Sequence, residues 1–129
     1  MSAYIIARGN LVKDGELRFS KQGLALFSFR IGCDCRPSNA IEGVNYSIFY
    51  DVTAFGGQAE RCAESLTKGV GVVVTGYLTL NKWNYEDKEY SSQVIAAKDV
   101  GASLRFDNAQ IIKVAKGSSP SSDDDIPIT

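Results

Sequence analysis

The sequence predicts an all-β protein, built as a five-stranded Greek-key barrel of the OB type with one short helix between its third and fourth strands. Three observations predict this fold. Most apolar segments are rich in β-branched and aromatic residues, one of them alternates strictly between two faces, and a single stretch has helical spacing. Residues 1–114 are therefore expected to form one barrel domain.

Three strands are predicted before the helix. Residues 4–12 form the first strand, with a bend near Gly9, and residues 17–19 extend it after a polar turn. The second strand covers residues 24–33 and has one fully apolar face, and the third covers residues 46–55. The apolar face of the second strand contains Ala25, Phe27, Phe29 and Ile31.

The single helix is predicted at residues 58–67, which are mostly good helix formers. Lys68-Gly69 is typical of a helix end, with a cation in the last turn and then glycine. The apolar residues at helical spacing are Ala59, Cys62, Ala63 and Leu66.

A long hairpin between the fourth and fifth strands completes the predicted barrel. Its strands are residues 70–81 and 89–98, and its polar tip is residues 86–88. Gly76 interrupts the fourth strand at a point where the strand is expected to coil. A short apolar run at residues 110–114 is expected to add one further strand.

The end of the chain differs in composition from the rest. Residues 115–129 are rich in Gly, Ser, Pro and Asp and are predicted to form a flexible acidic tail. The net charge is −1, but three of the 15 acidic residues are Asp123, Asp124 and Asp125. The remaining chain therefore carries a small positive charge, which is compatible with contacting phosphates.

Several function classes find no support. The chain has no His for proton transfer near neutral pH and no Gly-rich loop followed by Gly-Lys-Ser or Gly-Lys-Thr, so we expect no enzyme and no cofactor. Cys33, Cys35 and Cys62 lack a second pair of zinc ligands, so no metal site is expected. No apolar run approaches the roughly 20 residues that span a bilayer, and no signal peptide is recognised, so we expect a cytoplasmic protein.

Aromatic and basic residues favour a binding role. Single-stranded nucleic acids are held by exposed rings that stack on bases and by cations that contact phosphates. Trp83 follows Lys82 near a polar hairpin tip, which favours stacking over a half-buried structural role. Phe49 and Phe55 share one face of a strand, but the pattern leaves open whether that face is core or surface. Arg18 and Arg30 lie on or beside strands, where a solvated edge charge is the alternative.

The chain resembles the bacterial single-stranded DNA-binding proteins over residues 3–113 and again in the tail, most closely their actinobacterial branch. The resemblance implies a homotetramer of OB folds at the nucleoid that protects single-stranded DNA during replication, recombination and repair. It also implies an extra C-terminal strand at about residues 109–114 that clamps neighbouring subunits. The matching segments are Gly9-Asn10-Leu11, Glu16-Leu17-Arg18-Phe19, Ala25 to Ile31, Phe55-Gly56 with Ala59-Glu60, Leu66-Thr67-Lys68-Gly69, Val74 to Leu78, and Lys82-Trp83.

The resemblance also implies which residues contact DNA. Trp83 and Phe55 match stacking positions of the family, and Phe49 stands where the family often has a stacking Trp. A further stacking Trp of the family has no aromatic counterpart, and Arg36 occupies that region. The positions that match basic residues of the family are Arg18, Lys68 and Lys82.

The tail resembles the acidic tip that recruits replication and repair proteins in this family. Its candidate partner-binding residues are Asp123, Asp124, Asp125, Ile126, Pro127 and Ile128. The family's terminal Phe is absent, because Ile128 and Thr129 end the chain, so weakened partner binding is expected. Two alternatives are weighed against DNA binding: an OB module that mainly docks proteins, and a small nuclease.

Overall fold

The computed structural model describes residues 2–114. It contains six strands and one helix in the order β1 (Ala3–Leu11), β2 (Glu16–Phe19), β3 (Ala25–Asp34), β4 (Ser47–Phe55), α1 (Gly56–Ser65), β5 (Gly71–Tyr85) and β6 (Lys88–Ala102). No helix in this part of the chain is long and apolar enough to cross a membrane.

The strands form one sheet that closes on itself. Their order is β1-β5-β6-β4-β3-β2, and β1 also pairs with β3 at Asn10 and Leu11. The ring β1-β5-β6-β4-β3 is thus a five-stranded barrel, and β2 pairs with the other half of β3. Only β4 and β6 run parallel, as their separation in sequence by α1 and β5 allows. The predicted all-β barrel is confirmed, with the helix between the third and fourth barrel strands.

The core lies inside this barrel. The predicted apolar face of β3 is buried, and small residues of the facing strands fill the remaining space. Burial of this apolar surface is the main stabilising term of the fold. The largest fully buried side chains are Leu11, Ile31, Val52, Val72, Val74 and Ile95. α1 packs Ala59 and Cys62 against the core, as its spacing predicted, and Leu66 just after the helix is also buried there.

Gly76 permits a close approach between β5 and β6. The pairing of β5 with β6 shifts register between Thr75 and Gly76, which is a β-bulge. A Cβ at Gly76 would lie 2.1 Å from the carbonyl oxygen of Ala96, so no other residue fits without movement. Gln58 of α1 holds the β6 side of the bulge, because its Oε1 accepts a hydrogen bond of 2.9 Å from the Val100 N–H.

Three boundaries differ from the predictions. Glu16–Phe19 forms a separate strand, because Lys13 to Gly15 turn the chain away from β1 and onto the edge of β3. The helix begins at Gly56 and ends at Ser65, so Lys68 lies beyond it. The hairpin turn has two central residues, Glu86 and Asp87, both with positive φ (50° and 64°), and its strands are longer than expected.

The extra strand predicted near residues 109–114 is not paired within the described part of the chain, whereas the prediction placed its partner on a neighbouring subunit. This segment has no strand pairing in the described chain, and Ile111 and Ile112 are 90% and 84% exposed. A strand needs a neighbouring backbone for its hydrogen bonds, and no strand of residues 2–114 pairs with this segment. The predicted tail, including the residues from Asp123 to Ile128, lies outside the described residues.

Candidate nucleic-acid interface

β4 turns its two phenylalanines to the outside of the barrel. Val52 and Ala54 are fully buried, so alternation places Phe49 and Phe55 on the opposite face. Phe49 is 43% exposed and Phe55 is half-buried. The two rings are six residues apart, which is about 20 Å along a strand. The alternative left open by the sequence is thus decided: this pair is surface and not core.

Phe55 forms a row with a cation across three strands. It pairs with Leu26 of β3, which in turn pairs with Arg18 of β2. Paired residues share a face, so Arg18 and Phe55 both point outward, about 10 Å apart at their backbones. Glu16 holds Arg18 in place by accepting hydrogen bonds of 3.0 Å from both Nε and Nη2.

Phe49 lies at the other end of the same face. Its ring covers Gly32, where a Cβ would lie 3.1 Å from the ring, so the missing side chain lets the ring lie close to β3. The Arg30 guanidinium is 5.3 Å from the ring centroid, in cation–π range. Arg30 also donates a hydrogen bond of 3.2 Å from Nη1 to Oδ1 of Asp51, its partner on β4.

A groove continues from Phe49 to the base of the hairpin. It has a volume of about 340 Å³ and is open to solvent. Besides Phe49, Arg30 and Asp51, it is lined by Leu80 and Ser91 to Gln93. The groove therefore joins the outer face of β3 and β4 to the long hairpin.

Trp83 is one half of a stacked pair on that hairpin. Its ring and that of Tyr90 have centroids 6.0 Å apart and planes at 18°, and Trp83 is 45% exposed. The two residues pair across β5 and β6. Tyr90 was missed from the sequence, because its partnership depends on the two-residue turn at Glu86 and Asp87. Placing the turn there would have put residue 83 opposite residue 90.

The strand register sets Trp83 on the same outer face as the phenylalanines. Asp51 pairs with Val94 of β6, and alternation from Val94 brings Tyr90 and its partner Trp83 to that face. Lys82 points to the opposite face of the hairpin, where its Nζ lies 3.4 Å from Oε1 of Glu89. Trp83 and Lys82 are thus neighbours in sequence on different sides of the hairpin.

Two predicted cations lie apart from this face. Arg36 is exposed in the loop after β3, where its backbone N–H donates to Oδ1 of Asp34. Lys68 follows α1, and its backbone N–H donates to Oδ1 of Asp14. Lys68 lines a different and larger groove, between α1, the end of β6 and residues 107–112. The structure therefore brings together Arg18, Arg30, Phe49, Phe55 and Trp83, and separates Lys82, Arg36 and Lys68 from them.

Shifts in pKa give little indication of where the site lies. The pKa of Glu16 is lowered by its hydrogen bonds to Arg18, which keeps the pair ionised. Burial raises the pKa of Cys62 to about 11 and also raises that of Cys33. Within residues 2–114 no group of three or more His, Cys, Asp or Glu side chains is placed to hold a metal ion.

Comparison with known proteins gives a family. The model of the Single-strand binding protein family matches residues 2–103. The chain is 35% identical over 113 residues to the single-stranded DNA-binding protein of Corynebacterium glutamicum, covering 84% of this chain and 50% of that protein. It is also 35% identical over 113 residues to single-stranded DNA-binding protein 2 of Streptomyces coelicolor, covering 83% and 56%. The chain thus spans about half the length of the curated relatives that it matches.

Solved structures agree with this result. A small single-stranded DNA-binding protein from Streptomyces coelicolor aligns with a TM-score of 0.68 at 27% identity, covering 80% of this chain and 95% of that one. The second such protein of Mycobacterium smegmatis gives 0.67 at 26% identity, covering 88% and 100%. The resemblance predicted from the sequence, including its actinobacterial relatives, is confirmed. On the family match over residues 2–103, this chain belongs to the single-strand binding protein family.

Proposed function

We propose that this chain binds single-stranded DNA without sequence preference and without acting as an enzyme. Bases stack on Trp83, Phe55 and Phe49, while Arg18 and Arg30 contact the phosphates between them. Lys82, Arg36 and Lys68 extend the positive surface to the back of the hairpin, the loop after β3 and the end of α1. The observation that carries the proposal is the presence of three outward-facing rings and two guanidinium groups on one outer sheet face.

The geometry suits an unpaired strand. Every base has a flat face, so stacking tolerates any sequence and contributes about 1–3 kcal/mol per base. The rings of Phe55 and Phe49 are spread over about 20 Å, and the groove beside Phe49 leads on towards Trp83. A duplex keeps its bases stacked on each other, and so it does not offer their faces to these rings.

Fluorescence tests the proposal directly, because Trp83 is the only Trp in the chain. Adding oligo-dT should quench its emission, and a duplex of the same length should not. Binding should weaken as salt rises, since phosphate contacts release counterions. Unchanged emission together with equal affinity for single and double strands would contradict the proposal.

The alternative of a protein-docking OB module makes a different prediction. In that case Trp83 would be dispensable, and substitution by Ala would leave oligonucleotide affinity unchanged. The family match and the exposed, stacked position of Trp83 favour DNA binding.

We also propose a homotetramer. Residues 3–9 of β1 pair with β5 on one side only, which leaves an open strand edge within the described chain. The outer face beside that edge is apolar, with Ile6 70% exposed and Tyr4 packed edge-on against Tyr77. An open edge next to an exposed apolar face favours association with further copies of the chain.

We propose residues 1–114 as the DNA-binding domain and residues 115–129 as an acidic tail that recruits replication and repair proteins in the cytoplasm, at the nucleoid. Removing residues 123–129 should leave oligo-dT affinity unchanged and abolish recruitment. Because the family's terminal Phe is absent, an Ile128→Phe variant that also lacks Thr129 should bind such partners more tightly. Equal partner binding by all three forms would contradict this role.

A further inference from the structure

In the proposed interface, each of the three cations on strands forms an ion pair with a nearby carboxylate. Arg18 is held by Glu16 at 3.0 Å, Arg30 by Asp51 at 3.2 Å, and Lys82 by Glu89 at 3.4 Å. All six side chains remain partly exposed to solvent. Each of these three cations is thus already paired with a carboxylate.

Two of these carboxylates lie between the aromatic rings. Four rows cross the outer face in order: Arg18 with Phe55, Glu16 with Thr53, Arg30 with Asp51, and Gly32 with Phe49. A strand stacked on both Phe55 and Phe49 must therefore pass over the rows that hold Glu16 and Asp51. Its phosphates would meet negative charge there unless the carboxylates give up their cations.

We propose that Glu16, Asp51 and Glu89 limit DNA affinity by competing with phosphates for Arg18, Arg30 and Lys82, an inference that rests on the proposed function. When a DNA phosphate replaces a carboxylate, the cation stays paired with an anion throughout. The strand is held mainly by stacking, while the phosphate contacts contribute little net free energy. The bound strand can therefore leave or shift more readily than a surface of unpaired cations would allow.

Charge-neutralising variants test the inference. Each of Glu16→Gln, Asp51→Asn and Glu89→Gln should tighten oligo-dT binding by about two- to five-fold, the range expected when one exposed ion pair no longer has to be broken. Faster dissociation from the wild type than from the variants should account for most of the difference. Glu64→Gln on α1 makes the same charge change away from these cations and should alter affinity less.

The triple variant sharpens the result. Replacing Glu16, Asp51 and Glu89 together should exceed the effect of replacing Glu42, Glu60 and Glu64 together. This difference in oligo-dT affinity between the two triple variants should shrink at high ionic strength. The reason is that the screening length falls from about 10 Å at 0.1 M to about 3 Å at 1 M. Thermal unfolding of each variant shows that the fold is intact.

Four outcomes overturn the inference. If the carboxylates instead preorganise the cations, neutralising them will weaken binding. If only net charge matters, both triple variants will gain affinity equally. If the wild type binds oligo-dT but no variant binds more tightly, the inference fails and the proposed function stands. If neither the wild type nor any variant binds, both fail.

Discussion

Trp83 and Tyr90 form a stacked pair and are 45% and 40% exposed, about as open to solvent as Phe49 at 43%. The pair lies on the part of the hairpin that extends beyond the barrel, and the two ring centroids are 6.0 Å apart. One face of each ring remains available to a base. Tyr90 should therefore contribute to binding both directly and by fixing the orientation of Trp83.

Two substitutions at Trp83 separate stacking from simple hydrophobic contact. Trp83→Leu should weaken oligo-dT binding by about 1–3 kcal/mol, because the ring is lost. Trp83→Phe keeps a ring and should retain most of the affinity. Fluorescence anisotropy of a labelled oligonucleotide measures both, and equal losses in the two variants would contradict stacking.

The three cysteines should differ sharply in reactivity. Burial raises the pKa of Cys62 to about 11 and also raises that of Cys33, so the reactive thiolate is scarce in both at pH 8. Cys35 is exposed. A maleimide should thus label the native protein once and the unfolded protein three times, as counted by mass spectrometry. Rapid labelling of native Cys35→Ser would show that this assignment is wrong.

Alternation on β3 was readable from the sequence, because every second residue from Ala25 to Ile31 is apolar. The orientation of β4 could not be predicted in this way. Phe49 and Phe55 form one apolar set and Val52 and Ala54 another, and either set could have faced the core. Packing decides between them. Phe27 and Phe29 of β3 already fill the barrel, so its other wall takes the small residues Val52 and Ala54 and leaves the larger rings outside.

The close approach of β5 to β6 beside the register shift depends on Gly76. Gly76→Ala should destabilise the protein by about 1–3 kcal/mol, because its Cβ would meet the Ala96 carbonyl oxygen and the backbone must shift. Gly101→Ala, on the neighbouring strand, meets no atom within 4 Å and should cost much less. Denaturant unfolding measures both changes. Similar losses in the two variants would contradict the close approach.

Ion pairs were the least predictable part of the interface. Arg18 and Glu16 are two residues apart, so their pairing could have been inferred from strand alternation. Arg30 and Asp51 meet only because β3 and β4 pair in one register out of several possible ones. That register follows from packing across the whole barrel, which local patterns do not contain.

In the proposed tetramer, a long strand could pass from one subunit to the next. We propose that the open edge of β1 and the exposed side chain of Ile6 form its contact surface. Ile6→Glu should therefore dissociate the tetramer, because a charge on this face would be buried without a partner. Ile41→Glu is the matched control, since Ile41 lies in a loop and is 68% exposed.

Mass in solution, measured by light scattering, distinguishes the outcomes. Only the Ile6 variant should have a lower mass than the wild type. A wild-type mass equal to that of one chain would contradict the tetramer, and so would an Ile6 variant that keeps the wild-type mass.

Photo-crosslinking of oligo-dT to the wild-type protein, with the attached residues identified by mass spectrometry, tests the central claim most directly. We predict crosslinks at Trp83, Phe55 and Phe49, which lie on the outer face of β4 and the hairpin. Crosslinks confined to α1 and the groove that Lys68 lines, with none at these three rings, would contradict the account.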